Sequence, residues 1–271
     1  MVTRGRWARL LDDLDWAFMT PDYGRWLQGS NEVAQSLFFA GMWTFGETEL
    51  SALYLSLDVA LRSVALSLLP AVIMAWILTR RRFPGRTLVD AFVHLPLVLP
   101  PVMVGYLLLL LLGTHGPVGG WLNRHFDVQL AFTTLGAAVA TAVMSFPLMV
   151  RAMRIALENV DRGLEDAART LGAGPWRRFA TITLPLMMPG VLAGVITAFA
   201  AGLGEFGAVI TFVSNIPGET RTLPLALYAA LQSPDGDATA ARLAMLSFAL
   251  GLAGLLASEM LARGLRRWLG R

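Results

Sequence analysis

The 271-residue chain has no cysteine, no lysine and only three histidines, and charged residues make up just 15% of it. Each shortage excludes something. Without cysteine there is no disulfide and no thiolate metal centre. His94, His115 and His125 lack metal-ligand spacing, so no metal site is expected. Without lysine a GxxxxGK[ST] phosphate loop cannot be written, so ATP hydrolysis is not expected of this chain. No set of acids, bases and nucleophiles converges at one depth, which argues against an enzyme. The 22 basic residues, all arginine, face 19 acids for a formal charge of +3. That excess is too small for a nucleic-acid footprint.

What remains is apolar. Hydrophobic residues are 55% of the chain and its mean hydropathy is +0.58, whereas a soluble domain carries about a quarter charged residues. A helix needs about 20 mostly apolar residues to cross a bilayer. Five stretches approach that length: 63–79, extending back to about Leu55; 92–112; 128–150; 179–204; and 243–258, extending to about Leu261. The expected fold is therefore all-α, a polytopic membrane bundle of five transmembrane helices. It becomes six if the shorter run 33–46 crosses as well. Residues 1–49 read as an extension at the membrane surface and 50–271 as the membrane domain. No internal repeat is found, so two-fold symmetry would need a second copy of the chain.

Arginine distribution sets the orientation, because basic residues in short loops mark the cytoplasmic side. Arg80, Arg81, Arg82 and Arg86 follow the first run; six arginines from Arg151 to Arg178 follow the third; Arg263, Arg266, Arg267 and Arg271 end the chain. The loops between are poor in arginine. Five crossings in alternation place the start of the first run outside and the C-terminus inside. Asp58 and Arg62, one helical turn apart, are expected to form a local ion pair at the outer edge.

The cytoplasmic stretch 151–185 is unlike a plain linker. Leu164, Ala167, Ala168 and Leu171 fall at helical spacing, so a short helix is expected over 164–171. Asp161 is its candidate N-cap. Gly172 and Gly174 are expected to provide a left-handed stop, and Pro175 opens a second short helix. A helix presented by a membrane domain is a lever: a partner that pushes it moves the attached spans as rigid bodies.

Asp166, Ala167 and Ala168, then three residues, Gly172, nine residues, and Ile182-x-Leu184-Pro185 together resemble the EAA loop of ABC importer permeases. That pattern reads EAA, three residues, G, nine residues, IxLP. Asp166 stands where the family has Glu, and Glu165 precedes it. The runs RRRFPGR, HLPLVLPPVMVGYLLLLL, MSFPLMVRAMRIALENVD and GLGEFGAVITFVSNIPGETRTLP extend the likeness over roughly residues 50–271. They resemble the molybdate branch of these permeases, with sulfate and thiosulfate permeases as close relatives. The resemblance implies a type I ABC importer permease fold in the bacterial cytoplasmic (inner) membrane and a homodimer around the pathway. It implies an ABC ATPase subunit, binding ATP and Mg, docked on Asp161, Glu165, Asp166, Ala167, Ala168, Gly172, Pro175, Ile182, Leu184 and Pro185. It also implies a periplasmic or extracellular molybdate-binding protein that delivers the anion outside. No cofactor is expected in this chain. A stand-alone secondary anion transporter is the alternative of another class, and it would leave the cytoplasmic loop unexplained.

Molybdate is a tetrahedral dianion. Its pathway needs hydrogen-bond donors without a tight fixed positive site, because the ion must also leave. Broken helices supply such donors, and they are tolerated at membrane depth where they line a cavity or are buried in protein. The candidate pathway and gate residues are Pro100 and Pro101, which with Pro96 interrupt the second run; Ser145, next to Pro147 at a similar weak point in the third; and Gly204, Glu205 and Gly207 at the end of the fourth, where the two glycines are expected to allow backbone angles other residues resist. The charge of Glu205 is wrong for holding an anion. It is expected to pair with an arginine or cap a helix end.

Overall fold

The computed structural model describes residues 46–234 and 236–268, all within one compact unit, Phe45–Arg271. The expectations for the N-terminal extension and for a crossing over 33–46 fall outside the described residues. Among those described, every regular element is a helix.

Helix α1 (Glu47–Arg80) is 34 residues long. It starts well before the apolar run at 63, because Glu47 and Glu49 occupy its first turn, where carboxylates favour the helix dipole. Asp58 and Arg62 pair on its surface at 2.8 Å. The second run is not one straight span. It forms α2 (Arg86–Val98) and α3 (Pro101–Leu112), bent by 116°. A residue before proline is pushed out of the helical region, and here two such residues are consecutive. Leu99, before Pro100, has ψ 144°; Pro100, before Pro101, has ψ 133°. Pro101 then opens α3, where its missing N–H costs nothing. Pro96, expected to join in the break, sits inside α2.

A short α4 (Gly119–Phe126) precedes α5 (Thr134–Glu158), whose N-cap Thr133 accepts from the Gly136 amide. Helix α5 runs unbroken through Ser145 and Pro147, so the weak point expected there is absent. The cytoplasmic stretch holds α6 (Arg162–Thr170) and α7 (Pro175–Arg178). A π-helical segment, Phe179–Thr183, joins α7 to α8 (Leu184–Leu203). The second short helix expected from Pro175 thus does not stand apart from the fourth span: α7 is the first turn of a 29-residue apolar helix, Pro175–Leu203. The wide π-turn closes with the Leu184 amide on the Phe179 carbonyl. It absorbs the ring and missing donor of Pro185, which would clash in a regular helix. Helices α9 (Gly207–Val213), α10 (Leu223–Leu231) and α11 (Asp237–Trp268) complete the chain.

By length and composition α1, α5 and Pro175–Leu203 can each cross a membrane, and the bent pair α2–α3 counts as a fourth span if its two halves form one crossing. The fifth apolar run, 243–258, lies within the 32-residue α11. Only part of that run has described side chains.

Helices α1, α5 and α8 form the centre. Small residues let their backbones approach, as membrane helices require. A Cβ on Gly190 would sit 2.1 Å from Ala156 Cβ; one on Gly194, 3.1 Å from the Met149 carbonyl; one on Gly202, 2.8 Å from Thr141 Cγ2 and 3.5 Å from Ser63 Oγ. As the α8 numbers rise, their α5 partners fall, so α8 is antiparallel to α5. Met149, Val150, Met153 and Leu157 of α5 are buried with Leu78 of α1 and Met187 of α8 in one core at the arginine-rich end. A second core at the other end gathers Val104 and Leu108 of α3, Ala137 and Ala140 of α5, and Phe212 and Val213 of α9. Val93 of α2 belongs to the first core and α3 to the second. The bent pair therefore passes from one end of the bundle to the other and is a broken span, not a loop returning to its own side.

The outer end is closed by a contact that the sequence did not announce. Glu49, 3% exposed, accepts from Arg242 Nε of α11 at 2.8 Å and from its own N-cap Gly46 amide at 3.0 Å. Removing one partner of a buried pair strands the other charge. Arg242→Ala is expected to destabilise the bundle by about 3–5 kcal/mol, read as a lower thermal midpoint in detergent. Replacing both partners by apolar residues of similar size should recover most of that loss.

Candidate coupling helix and broken-span junction

Helix α6 matches the expectation closely in place. It is stopped and started by local chemistry. Asp161 Oδ1 accepts from the Gly163 amide at 2.8 Å. At the far end Gly172 has φ +82°, and the Ala173 amide returns to the Ala168 carbonyl at 2.9 Å. Gly174 does not share this role: its φ is −64° and ψ 165°, an extended N-cap for Pro175. No residue of α6 is buried. Leu171 is 88% exposed and Trp176 83%. Leu164, Asp166 and Ala167 are also exposed. Apolar and small side chains exposed on a polar helix make α6 a candidate docking face.

Glu165 behaves differently from its neighbours. Its Oε1 accepts from Arg80 Nη2 at 3.1 Å and from Thr183 Oγ1 at 2.7 Å. The Arg80 side chain is only 10% exposed and also donates to the Val160 carbonyl at 3.5 Å. One carboxylate thus ties α6 to the end of α1 and to the π-segment that starts the fourth span. Glu165 was expected among the residues on which the ATPase docks; its carboxylate instead faces Arg80 and Thr183 of this chain. Ile182, Leu184 and Pro185 belong to the span's own early turns, and Thr183 among them makes the attachment.

A second ion pair holds the inner half of the broken span. Arg154 Nη1 donates to both carboxylate oxygens of Asp90, at 3.0 and 2.9 Å, and Arg154 Nε to Glu158 at 3.1 Å. His94 Nδ1 lies 2.9 Å from the Asp90 carbonyl. Asp90 and Arg154 were not singled out in the sequence. Their separation along the chain hides the contact, and only the arginine excess after the third run hinted at it.

The break in the bent pair meets a second break in the chain. The second break, residues 204–206, separates α8 from α9. There Glu205 Oε1 accepts from the Ala208 amide at 2.9 Å, capping α9. A Cβ on Gly207 would lie 2.7 Å from Pro101 Cβ and 3.2 Å from the Val102 nitrogen, and one on Gly105, 2.6 Å from the Ala208 carbonyl. Gly207 is thus needed for close approach and not, as expected, for unusual backbone angles. Gly204 has φ −95° and room for a side chain, so neither reason applies to it. Ser145 is buried in α5, its hydroxyl bonded to the Thr141 carbonyl at 2.9 Å. Pro100, Pro101, Glu205 and Gly207 are therefore brought to one junction, while Ser145 is spent on its own helix. Gly207→Val is expected to force α3 from α9 and to cut transport at least about tenfold, since a core overpacked by methyl groups costs about 1–3 kcal/mol. The coupling helix, remote from this contact, should keep its partner. Uptake and co-purification measured on one preparation check both halves.

Residues 67–267 match the model of a family described as the inner membrane component of binding-protein-dependent transport systems. The chain belongs to that family. It is a transport subunit of the inner membrane, not an enzyme. It is 56% identical over 225 residues to the molybdenum transport system permease protein ModB of Escherichia coli K12, covering 83% of this chain and 98% of that one. To ModB of Haemophilus influenzae it is 51% identical over 223 residues, covering 82% and 97%. The sulfate transport system permease protein CysT of Escherichia coli K12 is 44% identical over 170 residues, covering 63% of this chain and 61% of that one. Among solved structures, a chain of the bacterial alginate ABC transporter bound to its periplasmic protein superposes with a TM-score of 0.67 at 17% identity, covering 96% of this chain and 94% of that one. The shared fold is that of ABC importer permeases.

Proposed function

We propose that this permease carries molybdate inward across the cytoplasmic membrane, powered by a separate ATPase subunit. The observation that carries the substrate is the 56% identity to ModB across 98% of that protein's length. The sulfate permease is less similar and matches over a shorter stretch, which ranks sulfate second.

The geometry supports the following mechanism. The ATPase grips the exposed face of α6 around Asp166, Ala167, Ala168 and Leu171. Closure of the ATPase pair on ATP moves α6. The Glu165 tie passes that motion to the ends of α1 and of the fourth span together, so the central helices move as a unit. The bent span, held at its inner half by Asp90 and Arg154 and at its outer half by α9, redirects the motion at the Pro100 hinge. Two copies of the chain face each other across the anion's path, with the exposed flank of the junction, Val98, Val102 and Tyr106, available to the second copy. A binding protein delivers molybdate at the arginine-poor end. The anion meets backbone donors near the breaks and no permanent ion pair, which lets it pass.

Uptake of radiolabelled molybdate into vesicles holding the reconstituted complex tests this. ATP-dependent uptake should be competed by tungstate and molybdate and resist a tenfold excess of sulfate. Equal competition by sulfate would move the assignment to the sulfate branch.

A further inference from the structure

The loop between α1 and α2 carries charge that the transport mechanism does not use. A cleft of about 940 Å3 opens there between the end of α1, the start of α2 and the start of α6. Its charged lining is Arg80, Arg81, Arg82, Arg86 and Arg162 with two acids, Glu158 and Asp161. Both acids are engaged: Glu158 by Arg154 and Asp161 by the Gly163 amide. Arg80 is committed to Glu165. Arg81, Arg82, Arg86 and Arg162 have no carboxylate partner among the described residues, and Arg81 and Arg82 are exposed. Asp161 keeps its negative charge, since an amide does not neutralise it, but one carboxylate against four guanidinium groups leaves the cleft net positive, and an anion bound there relieves the repulsion.

The depth of the cleft says which anion. Arg81 lies over the ring of Trp76, 5.1 Å from its centroid. Tryptophan with arginine at the end of an apolar span marks the headgroup level of a bilayer. Immediately beyond Arg86, Leu88 and Phe92 are 66% and 71% exposed on α2, an apolar flank suited to acyl chains. Basic pockets between spans on the cytoplasmic side bind phosphate headgroups, and guanidinium matches phosphate oxygens in bidentate geometry. We infer that this cleft is a binding site for the phosphate headgroup of an anionic phospholipid, such as phosphatidylglycerol or cardiolipin. The bound lipid neutralises the arginines beside the root of the coupling helix and anchors that end of the bundle at a fixed depth.

Native mass spectrometry and thermal melting of the full chain in detergent test the site. Wild-type protein should retain anionic lipid through delipidation. Added phosphatidylglycerol should raise its melting temperature, and phosphatidylcholine should not. The Arg82→Gln/Arg86→Gln double variant, which removes one exposed loop charge and one half-buried charge at the start of α2, should bind phosphatidylglycerol roughly thirtyfold more weakly. Equal stabilisation by both lipids, or unchanged affinity in the double variant, would overturn the inference. So would an equal shift from inorganic phosphate or molybdate, which would make the cleft a soluble-oxyanion site. Loss of ATPase co-purification with lipid retention unchanged would assign it to the protein interface instead.

Discussion

Gly172→Val is expected to abolish co-purification of the ATPase and to reduce ATP-dependent uptake at least about tenfold, while the spans still insert. The reason is purely conformational. Gly172 sits at φ +82° with no atom within 4 Å of where a Cβ would stand, so valine meets no steric wall. Its cost is the left-handed backbone itself, about 1–3 kcal/mol for a non-glycine residue and worst for a β-branched one. The chain escapes that cost by unwinding the turn, which releases the Ala173 amide from the Ala168 carbonyl and frays the end of α6. Leu171, the most exposed apolar residue of the loop, then leaves its place. Asparagine tolerates this region better than most residues, so Gly172→Asn should recover part of the association. Full association in Gly172→Val would mean that the turn is not what the ATPase reads.

Glu165→Ala is expected to give the complementary defect: ATPase bound and hydrolysing, uptake lost by about tenfold or more. The substitution leaves the exposed face of α6 in place but cuts its ties to Arg80 and Thr183. Arg80 is then nearly buried with only a 3.5 Å contact to the Val160 carbonyl, and an uncompensated buried charge costs about 3–5 kcal/mol. The lever remains gripped but no longer turns the bundle. Glu165→Gln keeps a carbonyl oxygen for both donors and should lie between the two. Loss of the ATPase in Glu165→Ala would place this carboxylate in the subunit interface; unchanged uptake would show that the lever is coupled elsewhere.

These two neighbours also show how far a sequence can be read. The coupling pattern at Asp166–Pro185 was legible through its resemblance to the EAA loop, and its short helix through local rules: a cap at Asp161, helical spacing, a glycine where φ is positive. The apolar runs were legible because a bilayer demands length. The inward turn of Glu165 was not, since its two partners lie 85 and 18 residues away and no local rule links them. The pair of Glu49 and Arg242, 193 residues apart, was hidden for the same reason. The prolines at 100 and 101 announced a break but not its 116° bend, which depends on how α3 packs against α9. The four prolines at 96, 100, 101 and 147 looked alike in sequence. Only the adjacent pair broke a helix, because two successive residues were each forced into extended backbone.

The most direct test of the central claim uses a property of the sequence itself. The chain contains no cysteine, so a single Arg169→Cys substitution on the exposed side of α6 gives one unambiguous thiol for cross-linking. In the assembled complex, a short bifunctional reagent should join it to the ATPase subunit, and the yield should change when ATP binds. Cross-links that appear only between other parts of the two proteins, with position 169 remaining freely alkylated in the intact complex, would contradict the account.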